Sequence, residues 1–550
     1  MKDEKNEQEE IKQDEKKDFK EEVNEDVKGN TSLESNKGKK NNLVKYFVIL
    51  ILLVVLIGGG VLASRIDLKK DTKEEGKTET EKKPVNSKYI ITGNDLVDFD
   101  LYFMKEHNTE TNKVYSPISI KTALAMLADG AKGDTKDQIV SIIGDYKNTK
   151  YTNSSNMSFA NAMFINNNYK DSIKSTYIEN LKNKYNADVQ YDSFTTPDIV
   201  NKWVDGKTFG QINNMVDDIS QYNFVQVNAL AIDMEWVNKF QYKYGERSEY
   251  YVIFPHQNFF AHVGYLGETG GMIFNDDNVV DGGFFAGVIN RYDIVNELGE
   301  DTIRKTISEE YSAWLEEDPC KTASTSPDVE TYVNDFIKEL KSAYKHVSSS
   351  TDYYVYDDDN TKAFAKDLQT YDGLTLQYVA IMPKDVPLTQ YISSSDSKSI
   401  STIINNLKEI KLENFNDRVI TKITGSMPFF SYNDNLDLIS DLKKIGITDI
   451  FDISRSDLSD MVDKGDSMVI DQLTHKANIE LTNDGIKAAA ATRSGGRGSS
   501  SCPSYDHIYE VPIEEIDLNF NKPFMYLVRD KNTGEVWFAG TVYEPKERSS

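Results

Sequence analysis

Only two cysteines, Cys320 and Cys502, occur in 550 residues. That is too few for a disulfide scaffold, and an exported chain could pair them or leave both free. Basic residues are scarce as well: 63 Lys and Arg stand against 89 Asp and Glu, a formal charge of −26. A nucleic-acid partner is thereby excluded, because a phosphate-binding face needs clustered Lys and Arg. Of the six histidines, only His256 and His262 lie close together, at a spacing that suits neither a helical metal pair nor a finger. NDDNVVDGG lacks the closing Glu of a calcium loop, and SGGRG lacks the Lys-Ser/Thr ending of a phosphate-binding loop. No cofactor or metal is assigned. A catalytic role for His475 would need an exposed nucleophile and an orienting carboxylate, and no nucleophile-elbow motif accompanies it.

What is present begins with a charged tail. Residues 1–42 are dominated by Lys, Glu, Asp and Asn without an apolar period, and they read as a disordered cytoplasmic tail. YFVILILLVVLIGGGVLAS then runs uncharged from Tyr46 to Ser64, long enough to cross a bilayer as a helix, so 43–65 is expected to be a signal-anchor. A cleaved signal peptide ending near Ala63 is the rival reading. Residues 66–88 form a charged stalk, and the folded body is expected over 89–546. Its localisation would be the cell membrane, single-pass with the body outside, or secreted if the segment is cleaved.

Within the body, Ser116 and Pro117 open a helix that stops near Gly130, with Ala123, Leu124 and Leu127 on one stripe. SFANAMFI, FVQVNALAI and LQYVAIMP are apolar runs typical of strands buried on both faces. TIRKTISEEYSAWLEE and VETYVNDFIKELKSAYKH carry helical patterns. In HKANIELTNDG, His475, Ala477, Ile479 and Leu481 alternate with polar residues, a strand that leads directly into four alanines and then a Gly/Ser/Arg stretch.

VYSPISIKTALAMLADGAKGDT, SFANAMF, WVDGKTFGQINNMV, VNALAIDMEW, MPFF, LKKIGITDIFD, THKANIELTNDGIKAAAAT and FNKPFMYLVRDKNTGEVWFAGTVYEP occur in that order. Together they resemble the serpin family, in a membrane-anchored bacterial-type form. The resemblance implies an α+β fold of three β-sheets and about nine helices, with an exposed reactive-centre loop at about 483–515. A target protease would cut the loop as substrate, and the cut loop would insert into the central sheet and trap the acyl-enzyme. Gly485 would be the hinge, followed by Ile486, Lys487, Ala488, Ala489, Ala490, Ala491 and Thr492 as the inserting strand.

Family spacing places the reactive bond at Ser499-Ser500, with Arg497-Gly498 as a trypsin-like alternative. Ser116, Ser119, Asn228 and His475 match the shutter beneath the central sheet, and Trp236 matches the breach tryptophan. Asn483 stands where the family has the Glu that contacts that tryptophan. Ile486 replaces the usual Thr, which predicts slower insertion. The stretch from Gly485 to FNKPF is longer than usual, and an insertion is expected within 241–350. Cys320 lies within 241–350 and Cys502 in the loop, so a disulfide tethering the loop is one alternative and two free thiols the other. The resemblance thus implies a monomeric suicide inhibitor of extracellular serine proteases, with cysteine proteases as a second target class. The alternative is a non-inhibitory serpin-fold surface binding protein that proteases merely cleave.

Overall fold

A computed structural model describes residues 86–240, 248–253, 260–266, 271–275, 278–317, 326–343, 346–347, 352–463, 468–486, 505, 507 and 512–545. The chain divides into two units, Met1–Glu81 and Lys82–Ser550, and every described residue belongs to the second. The expected tail, membrane helix and most of the stalk therefore lie outside the described residues. Among those described, no helix is long and apolar enough to cross a membrane.

The central sheet is found in two halves. One half orders β2 (Asp188–Asp192), β1 (Met157–Asn166) and β3 (Phe224–Ile232) side by side. The other orders β5 (Phe430–Asp437), β6 (Thr474–Leu481), β7 (Gly485–Ile486) and β4 (Met234–Glu235). Since β4 continues the path of β3, the halves meet only at one end, through β7. β1 is buried along its whole length, as its unbroken apolar run predicts, while β6 buries His475, Ala477, Ile479 and Leu481 in alternation.

A seven-stranded sheet backs this one. In spatial order it comprises Lys113–Tyr115, Val536–Val542, Phe524–Asp530, Leu376–Pro383, Thr361–Asp367, Tyr353–Asp357 and Lys408–Glu409. Its central strands, Val536–Val542, Phe524–Asp530 and Leu376–Pro383, are buried on both faces. Val379 and Ile381 join a core with the helices, whereas Tyr378 and Ala380 join Ala477, Ile479, Leu481 and Ile486 of the central sheet. A third sheet aligns His346–Val347, Asn278–Asn290, Ile420–Pro428 and Ile513–Asn519, with Gly271–Phe274 on the flank of Asn278–Asn290.

Helix α1 (Asp98–Glu106) and helix α2 (Pro117–Gly130) pack under the core, and Ser116 caps α2 by accepting the Ser119 amide at 3.3 Å. Helix α3 (Asp198–Lys207) covers the outer face of β1 and β3 through Val200 and Val204. The described residues contain eleven α-helices rather than nine. Three of them, α4 (Ile294–Leu298), α5 (Glu300–Glu317) and α6 (Val329–Ala343), lie in the span where an insertion is expected and pack around an apolar cluster of their own. Not all of 241–350 is extra: Asn278–Asn290 pairs with Ile420–Pro428 from end to end of the latter, so it is a member of the third sheet.

Candidate functional site

The chain reverses immediately after β6. Thr482 closes the turn: its amide and hydroxyl both donate to the Gly485 carbonyl at 3.0 Å. Gly485 and Ile486 then run antiparallel to β6, with Ile486 opposite Leu481, and antiparallel to β4, with Gly485 opposite Glu235 and Ile486 opposite Met234. Only glycine fits the first of these positions. A Cβ on Gly485 would lie 2.2 Å from the Met234 carbonyl oxygen and 2.7 Å from the Glu235 Cα, both unyielding backbone atoms. Ile486 is 2% exposed, inside the apolar cluster that includes Met234, Trp236 and Leu481. The two hinge residues therefore already form a strand. Below them, among the described residues, the edges of β3 and β6 have no strand between them.

Trp236 anchors this end, fully buried. The expected acidic partner at 483 is replaced by backbone: the indole Nε1 donates to the Thr482 carbonyl at 3.0 Å, and the Trp236 amide to that of Asp484 at 2.9 Å. The Phe240 amide takes the Asn483 carbonyl at 3.0 Å, and Lys239 pairs with Asp484 at 2.7 Å. Sequence reasoning missed a second feature. Lys366 lies wholly buried behind the tryptophan, 3.8 Å from the Tyr353 ring centroid and 5.3 Å from that of Phe240. Its ammonium pairs with buried Asp352 at 2.5 Å, and Asp352 also accepts the Asn238 amide at 3.2 Å and side-chain Nδ2 at 3.0 Å. Burial pulls the Lys366 ammonium down to about 8, opposed by the Asp352 charge.

At the start of β6, three of the four predicted shutter residues meet. His475 Nε2 accepts the Ser116 amide at 2.8 Å, and the Ser116 hydroxyl donates to the Ser119 hydroxyl at 2.8 Å. Asn228 sits across the open seam on β3. It bonds Asn161 instead, its Nδ2 donating to Oδ1 at 2.6 Å, and its own Oδ1 is buried with no hydrogen-bond partner among the described residues. The sheet must close before Asn228 and His475 share a neighbour.

Burial depresses His475 to about 4, and an Nε2 that accepts an amide has no room for its own proton. With the folded value below the unfolded one of about 6.5, the unfolded chain binds the extra proton between those pH values. Stability from this group is thus complete above pH ~6.5 and is lost as pH falls toward ~4, by roughly 3 kcal/mol. Urea midpoints measured across that window should fall for the wild type and flatten for His475→Gln; parallel slopes would refute a neutral buried imidazole.

Ala488 to Thr492, Arg497-Gly498, Ser499-Ser500 and Cys502 lie outside the described residues, as does Cys320. Lys487 lies outside them too.

These features define a class: an α+β protein whose loop turns back into a seam of its own central sheet. The family model for Serpin (serine protease inhibitor) matches residues 94–256 and 331–545, and the chain belongs to that family. It is 28% identical over 173 residues to iripin-5 of Ixodes ricinus, a match spanning 31% of this chain and 38% of that protein. It is 23% identical over 507 residues to alpha-1-antitrypsin 1-5 of Mus musculus, spanning 88% of this chain and 95% of that one. Among solved structures it resembles the thermophilic serpin tengpin in its native state, with a TM-score of 0.52 and 19% identity over 81% of this chain and 92% of that one.

Proposed function

We propose that the protein is a suicide-substrate inhibitor of extracellular serine proteases. The observation that carries this reading is the pairing of Gly485 and Ile486 at the head of an otherwise open seam. Antiparallel pairing keeps the sum of partner numbers constant, so the next residues have defined destinations. From Ile486 opposite Leu481 and Met234, the register carries Ala488 between Ile479 and Ile232, Ala490 between Ala477 and Leu230, and Thr492 between His475 and Asn228. Side chains alternate, so Ala488, Ala490 and Thr492 would share the core face with Ile486, while Lys487 and Arg493 would take the outer face. Small residues thus fall where space is least. The Thr492 hydroxyl would arrive beside the Asn228 oxygen that has no donor among the described residues. Ile486, expected to slow insertion, is buried before any cut is made.

Chemically, the protease serine would attack the Ser499 carbonyl, break the Ser499-Ser500 bond and release the Ser500 amine. An ester would then join Ser499 to the enzyme. Adding a strand to the seam would drag that ester away before water reaches it, with the free energy drawn from a native state held kinetically. The apolar run at 46–64 supports placing this domain outside a membrane through an anchor at 43–65.

Incubation with an elastase, a subtilisin and a trypsin should yield an SDS-resistant complex. Mass spectrometry should locate the cut at Ser499-Ser500, or at Arg497-Gly498 for the trypsin, and the intact mass from cells separates an anchored chain from one cut near Ala63. Clean cleavage with neither a complex nor a rise in heat stability would sink the inhibitory reading.

A further inference from the structure

The helical insertion and the lengthened loop, two separate expectations from the sequence, touch one another. Beyond the candidate reactive bond, Tyr505 packs on the insertion's apolar cluster. Its ring stands edge-on to Tyr311 of α5 at 5.4 Å between centroids and to Tyr332 of α6 at 5.7 Å, with Trp314 at 6.1 Å. The receiving face is ordered by its own stacking: Tyr311 lies 3.9 Å from Tyr332 and 5.6 Å from Trp314. One carboxylate closes the contact. Glu310 accepts the Tyr505 hydroxyl at 2.8 Å and lies 2.6 Å from His507 Nδ1.

We propose that the insertion is a dock for the exit arm of the loop, and that Tyr505 is a positioning residue that presents the reactive bond. This rests on the inhibitory reading above. The geometry around it is directional. Ile486 fixes the entry arm in the central sheet, and Tyr505 fixes the exit arm on α5 and α6, so the bait is held at both ends rather than at one. Holding a segment in its bound form raises encounter efficiency by lowering the ordering cost of recognition. The six residues from Ser499 to Tyr505 reach at most about 20 Å, which keeps the bond within that distance of the dock. After the cut, the alanine arm would move into the seam while the Ser500 end stays on α5 and α6, and the two new ends part. The insertion's helices and the extra loop length thereby acquire one shared role.

The test compares Tyr505→Ala, Tyr505→Phe and wild type in the full-length protein, using thermolysin, a metalloprotease that forms no acyl-enzyme, as a probe of loop cleavage and the best complex-forming serine protease as target. An aromatic contact of this kind corresponds to about tenfold. Tyr505→Ala should be cut in the loop about tenfold faster by the probe and associate with the target about tenfold more slowly, at an unchanged urea midpoint. Tyr505→Phe, which keeps the ring, should recover most of both rates. Wild-type rates in Tyr505→Ala would overturn the dock, and so would a lowered midpoint shared by both variants. The probe cleavage rate reads the dock even if no complex forms with any protease, so failure of the dock and failure of the inhibitory reading are separately visible.

Discussion

On the inhibitory reading, replacing Ile486 with glutamate should turn the protein from inhibitor into substrate. Ile486 is 2% exposed and packed with Met234, Trp236 and Leu481, so a carboxylate there would have to be stripped of water inside an apolar cluster. The hinge would leave the seam, forfeiting about 1.5–3 kcal/mol of apolar burial in the native state. The larger consequence follows cleavage, because every later residue enters the sheet behind position 486. A barrier higher by about 3 kcal/mol slows insertion about 100-fold, long enough for water to hydrolyse the acyl-enzyme. The expected result is cleaved protein, free active protease and no SDS-resistant band, with Ile486→Val keeping wild-type behaviour. A wild-type stoichiometry of inhibition in Ile486→Glu would show that the hinge pairing is irrelevant to trapping.

The second large effect is expected at the ion pair behind the breach. Asp352→Asn keeps an acceptor for Asn238 but leaves the fully buried Lys366 ammonium without its counter-charge. Breaking a buried pair from one side costs about 3–5 kcal/mol, whereas replacing both charges is often neutral or stabilising. Asp352→Asn should therefore lower stability to urea by about 3–5 kcal/mol, and adding Lys366→Met should restore it to wild type or above. A single variant within about 0.5 kcal/mol of wild type would show that the charge is solvated or unimportant. Asn238 lies two residues beyond Trp236, so this pair holds the segment that frames the hinge. Its loss should loosen the head of the seam before the rest of the domain.

Much of this arrangement was legible along the chain. The alternation of His475, Ala477, Ile479 and Leu481 forecast β6 and its buried face, and Ser116 with Pro117 forecast the start of α2. The order of separated motifs forecast the family, which the match over 94–256 and 331–545 bears out. The shutter was legible only in part. Ser116, Ser119 and His475 meet, but Asn228 stands across a seam whose openness depends on which strands pair, and nothing local to Asn228 reports that. The tryptophan's contacts were illegible for a related reason: no glutamate stands at 483, and Trp236 uses the backbone carbonyls of Thr482 and Asp484, a group that every residue has.

Lys366 illustrates the opposite failure. A lysine in a strand reads as a solvent-facing position, and only the stacking of the seven-stranded sheet against the central one seals it in. The Tyr505 contact with Glu310 joins residues 195 apart, and no periodicity links them.

By itself, then, the sequence determined the strand that leads into the turn at Gly485, the run of small residues from Ala488 to Thr492 and the apolar run before the body. Periodicity and side-chain size are local properties that any reader of the chain can count. The tertiary structure alone decided that Ile486 is already seated, that the seam below it stays open, that a lysine is buried behind it and that the exit arm rests on added helices. Each of those depends on which distant segments share a neighbour, and the free energy of burying a charge or completing a sheet is a property of that neighbourhood rather than of the residue.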